Sequence, residues 1–469
     1  MKDFIKLAVL TVTLGYSAVT LAENASLQYF HDKVAGQKLI EADGFMQAKD
    51  YAKAFSIYKA LAQTGQKVAE YQLAYLYQNG LGTDKDDQLA MAWYMKSSQQ
   101  NLPEAQYALG ALYYSGVAVP QVLTQAIAFY KLAALQNNPY AEYMMGVMSA
   151  SGSGTPVDLT AAAAWYEKAA NQGMPQAQYN LGYMYAKGMG VPQNMQKAAT
   201  LFTAAANSQL PKAQFVLGLM YATGLGGTTI DKNKAFYWFN QAAQKNLAVA
   251  QYNLGMMYYN GWGTAADAKS AISWIGKASD QGLPRAQYFE GYLAYNGIGE
   301  PKSIEQALDL YSKAADQGLA DAQFATATLY HNGDGVPKDD VKAFNEYQSA
   351  AKQGFAKAQY MTGLFYQQGY GVPVDKASAA VWFEKAAEQG IDNAQISLAT
   401  MYANGDGVKQ DDQLAYAWAS LAATSSNQSV RDSATKLRDL LTKLMKPDQI
   451  TAANAIAKGY YSKYATTVH

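Results

Sequence analysis

The sequence predicts an all-α fold, a solenoid of stacked helix-turn-helix repeats, on three observations. An Ala-Gln-Tyr-like triplet occurs ten times, and eight of the nine steps between successive triplets are 36 residues. A glycine follows the alanine of every triplet by eleven residues, and a further alanine recurs once in each unit. A fixed period of this length is typical of repeats that bury a shared core. The triplets begin at Ala69, Ala105, Ala141, Ala177, Ala213, Ala250, Ala286, Ala322, Ala358 and Ala394.

The N-terminus has the features of a secretory signal peptide, which we predict over residues 1–22. Lys2 and Lys6 supply positive charge, residues 7–22 are uncharged, and Thr20 and Ala22 are small residues suited to a cleavage site. The alternative is an uncleaved membrane anchor, but 16 uncharged residues are fewer than the roughly 20 that a spanning helix needs. We therefore expect cleavage after Ala22 and no membrane insertion of the mature chain.

Charge and cysteine content restrict the kinds of ligand to be expected and the cellular compartment in which the protein works. The 37 Lys and Arg residues balance 37 Asp and Glu, so composition offers no attraction for nucleic acid or an anionic membrane. The chain has no cysteine, which excludes disulfides and a lipid anchor on a cleavage-site cysteine. A chain without cysteine avoids mispairing in an oxidising compartment. We expect the bacterial periplasm, with secretion to the medium as the alternative.

Each unit is predicted to form two helices, as residues 175–210 illustrate. Helix A begins at Pro175, which suits a first helical turn, and places Ala177 and Leu181 on one face. It ends at Gly188, because glycine adopts a left-handed conformation without steric cost. Helix B follows a glycine-containing turn and has Ala198 and Phe202 at helical spacing.

A second glycine column lies inside helix A and predicts close packing. Seven of the ten units have glycine there and three have alanine. Glycine within a helix costs about 1 kcal/mol relative to alanine, so seven such residues imply a contact too close for a methyl group. The glycines are Gly110, Gly146, Gly182, Gly218, Gly255, Gly291 and Gly363.

The two ends of the array depart from the repeat, since outer units need a solvated face. We assign residues 23–65 to N-terminal capping helices and residues 66–425 to ten repeats. Residues 426–469 are assigned to C-terminal capping helices and a tail.

The repeat resembles the Sel1-like repeat family, a relative of the tetratricopeptide repeats. The pattern Ala-Gln-Tyr-x-Leu-Gly-x-x-Tyr-x-x-Gly-x-Gly-Val-Pro spans Ala177–Pro192, and Ala-x-x-Trp-Tyr-x-x-Ala-Ala-x-x-Gly spans Ala162–Gly173. The resemblance implies a right-handed superhelix of about ten to eleven repeats. It also implies adaptor or scaffold roles, often in bacterial envelopes, and supplies no shared catalytic residues. We therefore expect no enzymatic activity and no cofactor.

Motifs of the kinds found in metal, nucleotide and catalytic sites are interpreted as structural. Three histidines are too far apart in sequence to indicate a metal site, and no Gly-Lys-Ser/Thr follows the Gly-x-Gly turns. Acidic residues before helix B are interpreted as helix caps. Ser-x-x-Lys occurs at Ser56, Ser349 and Ser433, but the companion motifs of penicillin-binding enzymes are missing. The histidines are His31, His331 and His469.

One break in the repeat and one aromatic residue at a turn are candidate contact points. Glu290 occupies a helix A column that is otherwise Leu, Met or Thr, and a carboxylate in a core column is costly unless it is paired or exposed. It either belongs to a binding site or reflects a local adjustment. Trp262 lies in a Gly-Trp-Gly turn, where it either contacts a partner or packs on the adjacent turn.

The remaining candidates lie three and six residues after the alanine of the triplet, on one face of helix A. In related solenoids helix A lines the concave surface, and aromatic residues there suit protein recognition. Packing between helices is the alternative. The candidates are Tyr75, Asn180, Tyr183, Asn253, Met256, Phe289 and Tyr292.

The favoured function is an exported, monomeric scaffold that binds a protein or peptide partner in the cell envelope. The alternative is a periplasmic immunity protein that neutralises a secreted toxin. A third hypothesis, an enzyme acting on cell-wall or β-lactam substrates, rests only on Glu290 and the isolated Ser-x-x-Lys matches.

Overall fold

The computed structural model describes residues 37–465, and its regular elements in this range are 24 α-helices and one short 3₁₀ turn. The prediction of an all-α solenoid with about ten repeats is confirmed. The predicted signal peptide, His31 and His469 lie outside the described residues.

The helices alternate between helix A and helix B, with two capping helices at each end. The first twelve are α1 Gln37–Gln47, α2 Tyr51–Gln63, α3 Lys67–Asn79, α4 Asp87–Gln99, α5 Pro103–Ser115, α6 Leu123–Ala134, α7 Pro139–Ser151, α8 Leu159–Asn171, α9 Pro175–Lys187, α10 Met195–Asn207, α11 Pro211–Thr223 and α12 Lys232–Gln244. The others are α13 Ala248–Asn260, α14 Ala268–Asp280, α15 Pro284–Asn296, α16 Ile304–Asp316, α17 Ala320–Asn332, α18 Asp340–Lys352, α19 Ala356–Gln368, α20 Lys376–Ala387, α21 Asp392–Asn404, α22 Asp412–Ala422, α23 Gln428–Leu444 and α24 Pro447–Ala465. Helix A of the ten repeats is the odd-numbered series from α3 to α21.

The described residues form two compact parts, which divide between Ala242 and Ala243. Within the described residues of each part, consecutive helices pack against one another along the chain. In the C-terminal part, α22 contacts both α23 and α24, so the two last helices cap the same repeat. No helix in the described range is long and apolar enough to cross a membrane.

Glycine and short acidic residues set the helix ends. The glycine after helix A is left-handed in all ten repeats, with φ between 64° and 76°. Most B helices start with a side-chain cap, which satisfies the first free backbone N–H groups; the second repeat, with Val122 at this position, has none. Asp86 and Asp411 each accept two such hydrogen bonds, and Asp339 accepts one. The acidic turns therefore act as helix caps.

The glycine column inside helix A makes room for a large side chain of helix B, which is an aromatic ring in six of the seven repeats that have this glycine. A Cβ atom on Gly146 would lie 2.6 Å from Cδ1 of Tyr166. Gly218 and Gly363 have the same relation to Phe239 and Phe383, at 2.7 Å. Because real Cβ atoms do not approach other atoms this closely, the predicted tight contact is confirmed.

Glutamine of the triplet links helix A to two helix B ends. In the sixth repeat, Gln251 Nε2 donates to the Ala243 carbonyl at 3.4 Å, and Gln251 Oε1 accepts from Gln281 Nε2 at 2.7 Å. The fourth repeat lacks the second bond, because Ser208 replaces the donor. Its triplet residue Gln178 has a buried Oε1 atom with no hydrogen-bond partner among the described residues.

Candidate functional site

Helix A of each repeat in the C-terminal part presents one stripe of side chains to solvent. The stripe holds the residues three, six and ten positions after the triplet alanine, and this spacing keeps them on one helix face. None of these side chains is fully buried. In α15 they are Phe289, Tyr292 and Asn296; in α13 they are Asn253, Met256 and Asn260. We call these positions in α13, α15, α17, α19 and α21 the helix A stripe.

Two stripe residues of α15 meet two further aromatic rings of α13. The Phe289 ring lies edge-on to Tyr259, with centroids 5.1 Å apart, and edge-on to Tyr252 at 6.5 Å. Tyr292, on the same helix, lies 5.5 Å from Phe289 and is 36% exposed. Edge-on and tilted arrangements are favourable for aromatic pairs. We call Tyr252, Tyr259, Phe289 and Tyr292 the aromatic cluster.

The rings of the aromatic cluster are held in place by packing on the core and by a hydrogen bond between two of their hydroxyls. Tyr252, Tyr259 and Phe289 pack on a core that includes Ile275 and Leu293. Burial raises the pKa of the Tyr259 phenol, and the hydroxyl of Tyr292, which is hydrogen-bonded to it, raises this pKa further. Rings held in this way lose little conformational entropy when a partner binds.

Charges lie at the edge of the aromatic cluster. Burial raises the pKa of Tyr252, and the nearby Arg285 guanidinium partly opposes that shift. Arg285 is exposed in the first turn of α15. Burial also raises the pKa of Tyr288, and the negative charge of the nearby Asp321 raises this pKa further. The cluster therefore has an apolar centre and a charged margin, which is the usual arrangement of a protein interface.

Glu290 occupies a separate place from the aromatic cluster. Two residues in a helix correspond to about 200° of rotation, so Glu290 and Tyr292 face nearly opposite directions. The Glu290 carboxylate accepts a hydrogen bond from Ser279, and a Cβ on Gly276 would lie 3.5 Å from its Oε1 atom. Burial raises the pKa of Glu290, as do Asp280 and Glu300, whereas Lys313 lowers it. Gly276 and Ser279 are small residues of α14, and they leave space for this carboxylate at a half-buried position.

Asn180, predicted to face a partner, is only 8% exposed. Its side chain hydrogen-bonds the phenols of Tyr143 and Tyr166, which belong to the preceding repeat. Asn180 therefore ties two repeats together and offers little surface for binding, because its amide is used internally. Tyr75 and Tyr183 are half-buried on the same face of their helices, and Tyr183 packs against a core that includes Phe202.

The remaining predicted residues lie in the C-terminal part. Asn253 is half-buried and donates to the Val249 carbonyl of its own helix at 2.7 Å. Met256 is half-buried on the stripe of α13, and Trp262 is 47% exposed in the turn after α13. The structure thus places Asn253, Met256, Phe289 and Tyr292 on the helix A stripe, with Glu290 outside it.

Tyr252 and Tyr259 belong to the aromatic cluster but were not among the predicted site residues. Tyr252 is the aromatic member of the triplet, a column that elsewhere packs on a helix B ring, as Tyr288 does on Tyr311 at 5.5 Å. The sixth repeat has Ile275 in place of that ring. A signal was present in the sequence, since Tyr259 and Tyr295 occupy a column that otherwise holds Ala, Gln, His and one further Tyr.

The other motifs remain structural. His331 Nδ1 lies 2.7 Å from Asp340 Oδ1, and its ring packs on Phe365 and Tyr370. Within the described range no group of three or more His, Cys, Asp or Glu residues is placed to hold a metal ion. The Ser349 hydroxyl donates to a carbonyl of its own helix, and Lys352 donates to Gln348.

A family model for the Sel1 repeat matches ten consecutive segments. The chain belongs to the Sel1 repeat family. The matched Sel1 repeats are residues 67–102, 103–138, 139–174, 175–209, 211–247, 248–283, 284–319, 320–355, 356–391 and 392–427. Sel1 repeat solenoids are a type of protein-interaction scaffold and are generally non-catalytic.

Two solved Sel1 repeat structures resemble the chain clearly. One is c5321, described as a protective antigen present in uropathogenic Escherichia coli strains, with 31% identity, a TM-score of 0.62, and coverage of 88% of this chain and 95% of that chain. The other is a Sel1 repeat protein from Oxalobacter formigenes, with 31% identity, a TM-score of 0.53, and coverage of 66% and 90%. The search of curated proteins found no match.

A third similarity is too distant to carry an argument about function. The immunity protein PA5088 from Pseudomonas aeruginosa is 20% identical, with a TM-score of 0.30, over 50% of this chain and 82% of that chain.

Proposed function

We propose that this Sel1 repeat protein is an exported scaffold that binds a protein partner in the cell envelope through the helix A stripe of its C-terminal part. The observation that carries the proposal is the aromatic cluster, in which three half-buried rings support the exposed Tyr292. Preorganised aromatic side chains surrounded by polar groups are typical of the residues that dominate binding energy at interfaces.

Export is supported by the N-terminal sequence alone. Lys2 and Lys6, the uncharged residues 7–22 and the absence of cysteine fit a periplasmic destination. Secretion to the medium is the alternative, and fractionation of the producing cells distinguishes the two.

The binding surface is tested by shortening partly exposed side chains of the stripe. Tyr292→Ala and Met256→Ala shorten stripe residues, and the double variant is expected to retain less than about a thirtieth of the affinity for an envelope partner, as loss of about 2 kcal/mol implies. The measurement is quantitative capture from an envelope extract, followed by titration of the recovered protein. Tyr461→Ala is the matched control, because Tyr461 is 62% exposed on α24.

Equal capture by the double variant and the Tyr461→Ala control would overturn the assignment of this surface. Thermal melting of each variant checks that the fold is retained. Recovery of a secreted toxin as the stripe-dependent partner would identify the immunity function, and recovery of a resident envelope protein would identify a scaffold.

A further inference from the structure

The helix A stripe of the C-terminal part carries no charge. Across five helices its fifteen positions hold only amide, hydroxyl, aliphatic and aromatic side chains, although 16% of the whole chain is charged. Every one of these positions is at least partly exposed. The residues are Asn253, Met256, Asn260, Phe289, Tyr292, Asn296, Ala325, Thr328, Asn332, Met361, Leu364, Gln368, Ser397, Thr400 and Asn404.

Helix B in the same part shows the opposite composition. The 13 residues of α16 include four charges, and Lys313 of this helix forms an exposed ion pair with Asp309 at 2.6 Å. Lys269, Lys342 and Lys385 add charge on other B helices. Charged side chains in this part are therefore carried largely by helix B, and the helix A stripe is an uncharged face.

Charge on the helix A face is confined to the first turn. The position four residues before the first stripe residue extends the same face toward the helix N-terminus. It holds Arg285, Asp321 and Lys357 in three successive repeats, with uncharged residues in the repeats on either side. These side chains form a rim of alternating sign along one edge of an uncharged surface.

We propose that the partner presents an uncharged polypeptide segment, rich in apolar and amide side chains, to the helix A stripe. The inference rests on the proposed function. A charged side chain of the partner would lose its hydration on binding to this stripe, and no stripe residue carries an opposite charge to pair with it. Burying an unpaired charge in this way costs free energy of binding. Asn253, Asn260 and Asn296 donate to carbonyls of their own helices, so it is their amide oxygens that can accept from the partner's backbone N–H groups. The aromatic cluster supplies the apolar anchor.

The alternating rim has a consequence for salt dependence. Its positive and negative groups contribute opposing terms to long-range attraction, and electrostatic steering is then weak. The affinity of the stripe for its ligand is expected to change by less than about twofold between about 0.05 M and about 0.5 M NaCl.

The test uses a displayed library of random peptides of about twelve residues, long enough to span neighbouring helices, selected on the purified chain. Each enriched peptide is then titrated against the wild type, Tyr292→Ala and Thr328→Glu. The proposal expects Asp, Glu, Lys and Arg to be depleted relative to the starting library. It also expects loss of binding with both variants.

Enrichment of charged peptides that still require Tyr292 would overturn the uncharged-partner inference and leave the proposed function intact. Enriched peptides that bind Tyr292→Ala as well as the wild type would contradict both. If no peptide is enriched, and a hexamer of N-acetylglucosamine binds the wild type but not Tyr292→Ala, the ligand is a neutral glycan and the inference is wrong. If no peptide is enriched and the hexamer does not bind, the inference that the stripe recognises an uncharged polypeptide segment is also wrong.

Discussion

At the scale of single residues, Glu290 shows how a break in the repeat is accommodated. Its column is a core position, yet Gly276 and Ser279 on α14 leave a slot in which the carboxylate accepts a hydrogen bond. Burial raises its pKa above the usual value of 4.5. The folded state therefore binds this proton more tightly than the unfolded state, so this group lowers stability as the pH rises from 4.5 through its folded pKa.

Glu290→Gln keeps an acceptor for Ser279 and removes the charge. The variant is expected to melt at a higher temperature than the wild type at pH 7, and this advantage should shrink toward pH 4, where the wild-type carboxyl becomes protonated. Thermal melts followed by circular dichroism at the two pH values measure the effect. The exposed Glu167→Gln is the matched control. A wild type that is less stable than Glu290→Gln by the same margin at both pH values would contradict the role of ionisation.

Ser208 is a second residue-scale departure, and it leaves the buried Gln178 Oε1 atom without a partner among the described residues. In seven other repeats a glutamine thirty residues further on donates to a side-chain oxygen of the triplet Gln or Glu. Ser208→Gln is expected to raise the unfolding free energy by about 1 kcal/mol, because it completes a buried hydrogen bond. Chemical denaturation measures it. Thr200→Gln, on the exposed side of the same helix, should have little effect.

At the scale of helices, close packing outweighs helix propensity. Gly146→Ala favours the helix intrinsically by about 1 kcal/mol, but the added Cβ would lie 2.6 Å from the buried Tyr166 ring. Overpacking of this kind costs about 1–3 kcal/mol, so a net loss of stability is expected. Gly44→Ala is the matched control, since nothing lies within 4 Å of its added Cβ within helix α1. Stabilisation by both substitutions would show that the ring simply moves aside.

The helical framework could be predicted from sequence because its requirements are local and repeated. The glycine at each helix A end needs only a left-handed backbone, and the glycine inside helix A needs only one large side chain of helix B close to it. The surface was harder to predict, as Asn180 and Asn253 show. They share a column, but Asn180 meets the hydroxyls of Tyr143 and Tyr166, whereas the matching positions of the fifth repeat are Phe215 and Phe239.

The structural role of Asn180 therefore depends on which residues the preceding repeat places next to it, and the spacing of residues along one helix does not reveal that role. The same reason explains why Tyr252 and Tyr259 were missed. Tyr252 is one aromatic residue in a column of aromatic residues, and only the loss of the helix B ring at Ile275 changes its surroundings. Departures in adjacent repeats have to be considered together before a surface can be predicted.

At the scale of the whole molecule, ten Sel1 repeats supply one framework, and the differences between repeats supply the binding surface. The turn glycines, the helix B alanines and the triplet glutamines recur in nearly every repeat and explain stability. The aromatic cluster lies where α13 meets α15, and the uncharged stripe continues from it through α21.

The most direct test is residue-specific photo-crosslinking in living cells that produce the protein. A crosslinking side chain replaces Asn296, an exposed stripe residue next to Tyr292, and in a second strain it replaces Tyr461. The account predicts one dominant envelope protein crosslinked at position 296, lost with Met256→Glu and absent from position 461. The same products at both positions, or a dominant partner at position 461 alone, would contradict the central claim that the helix A stripe is the binding surface.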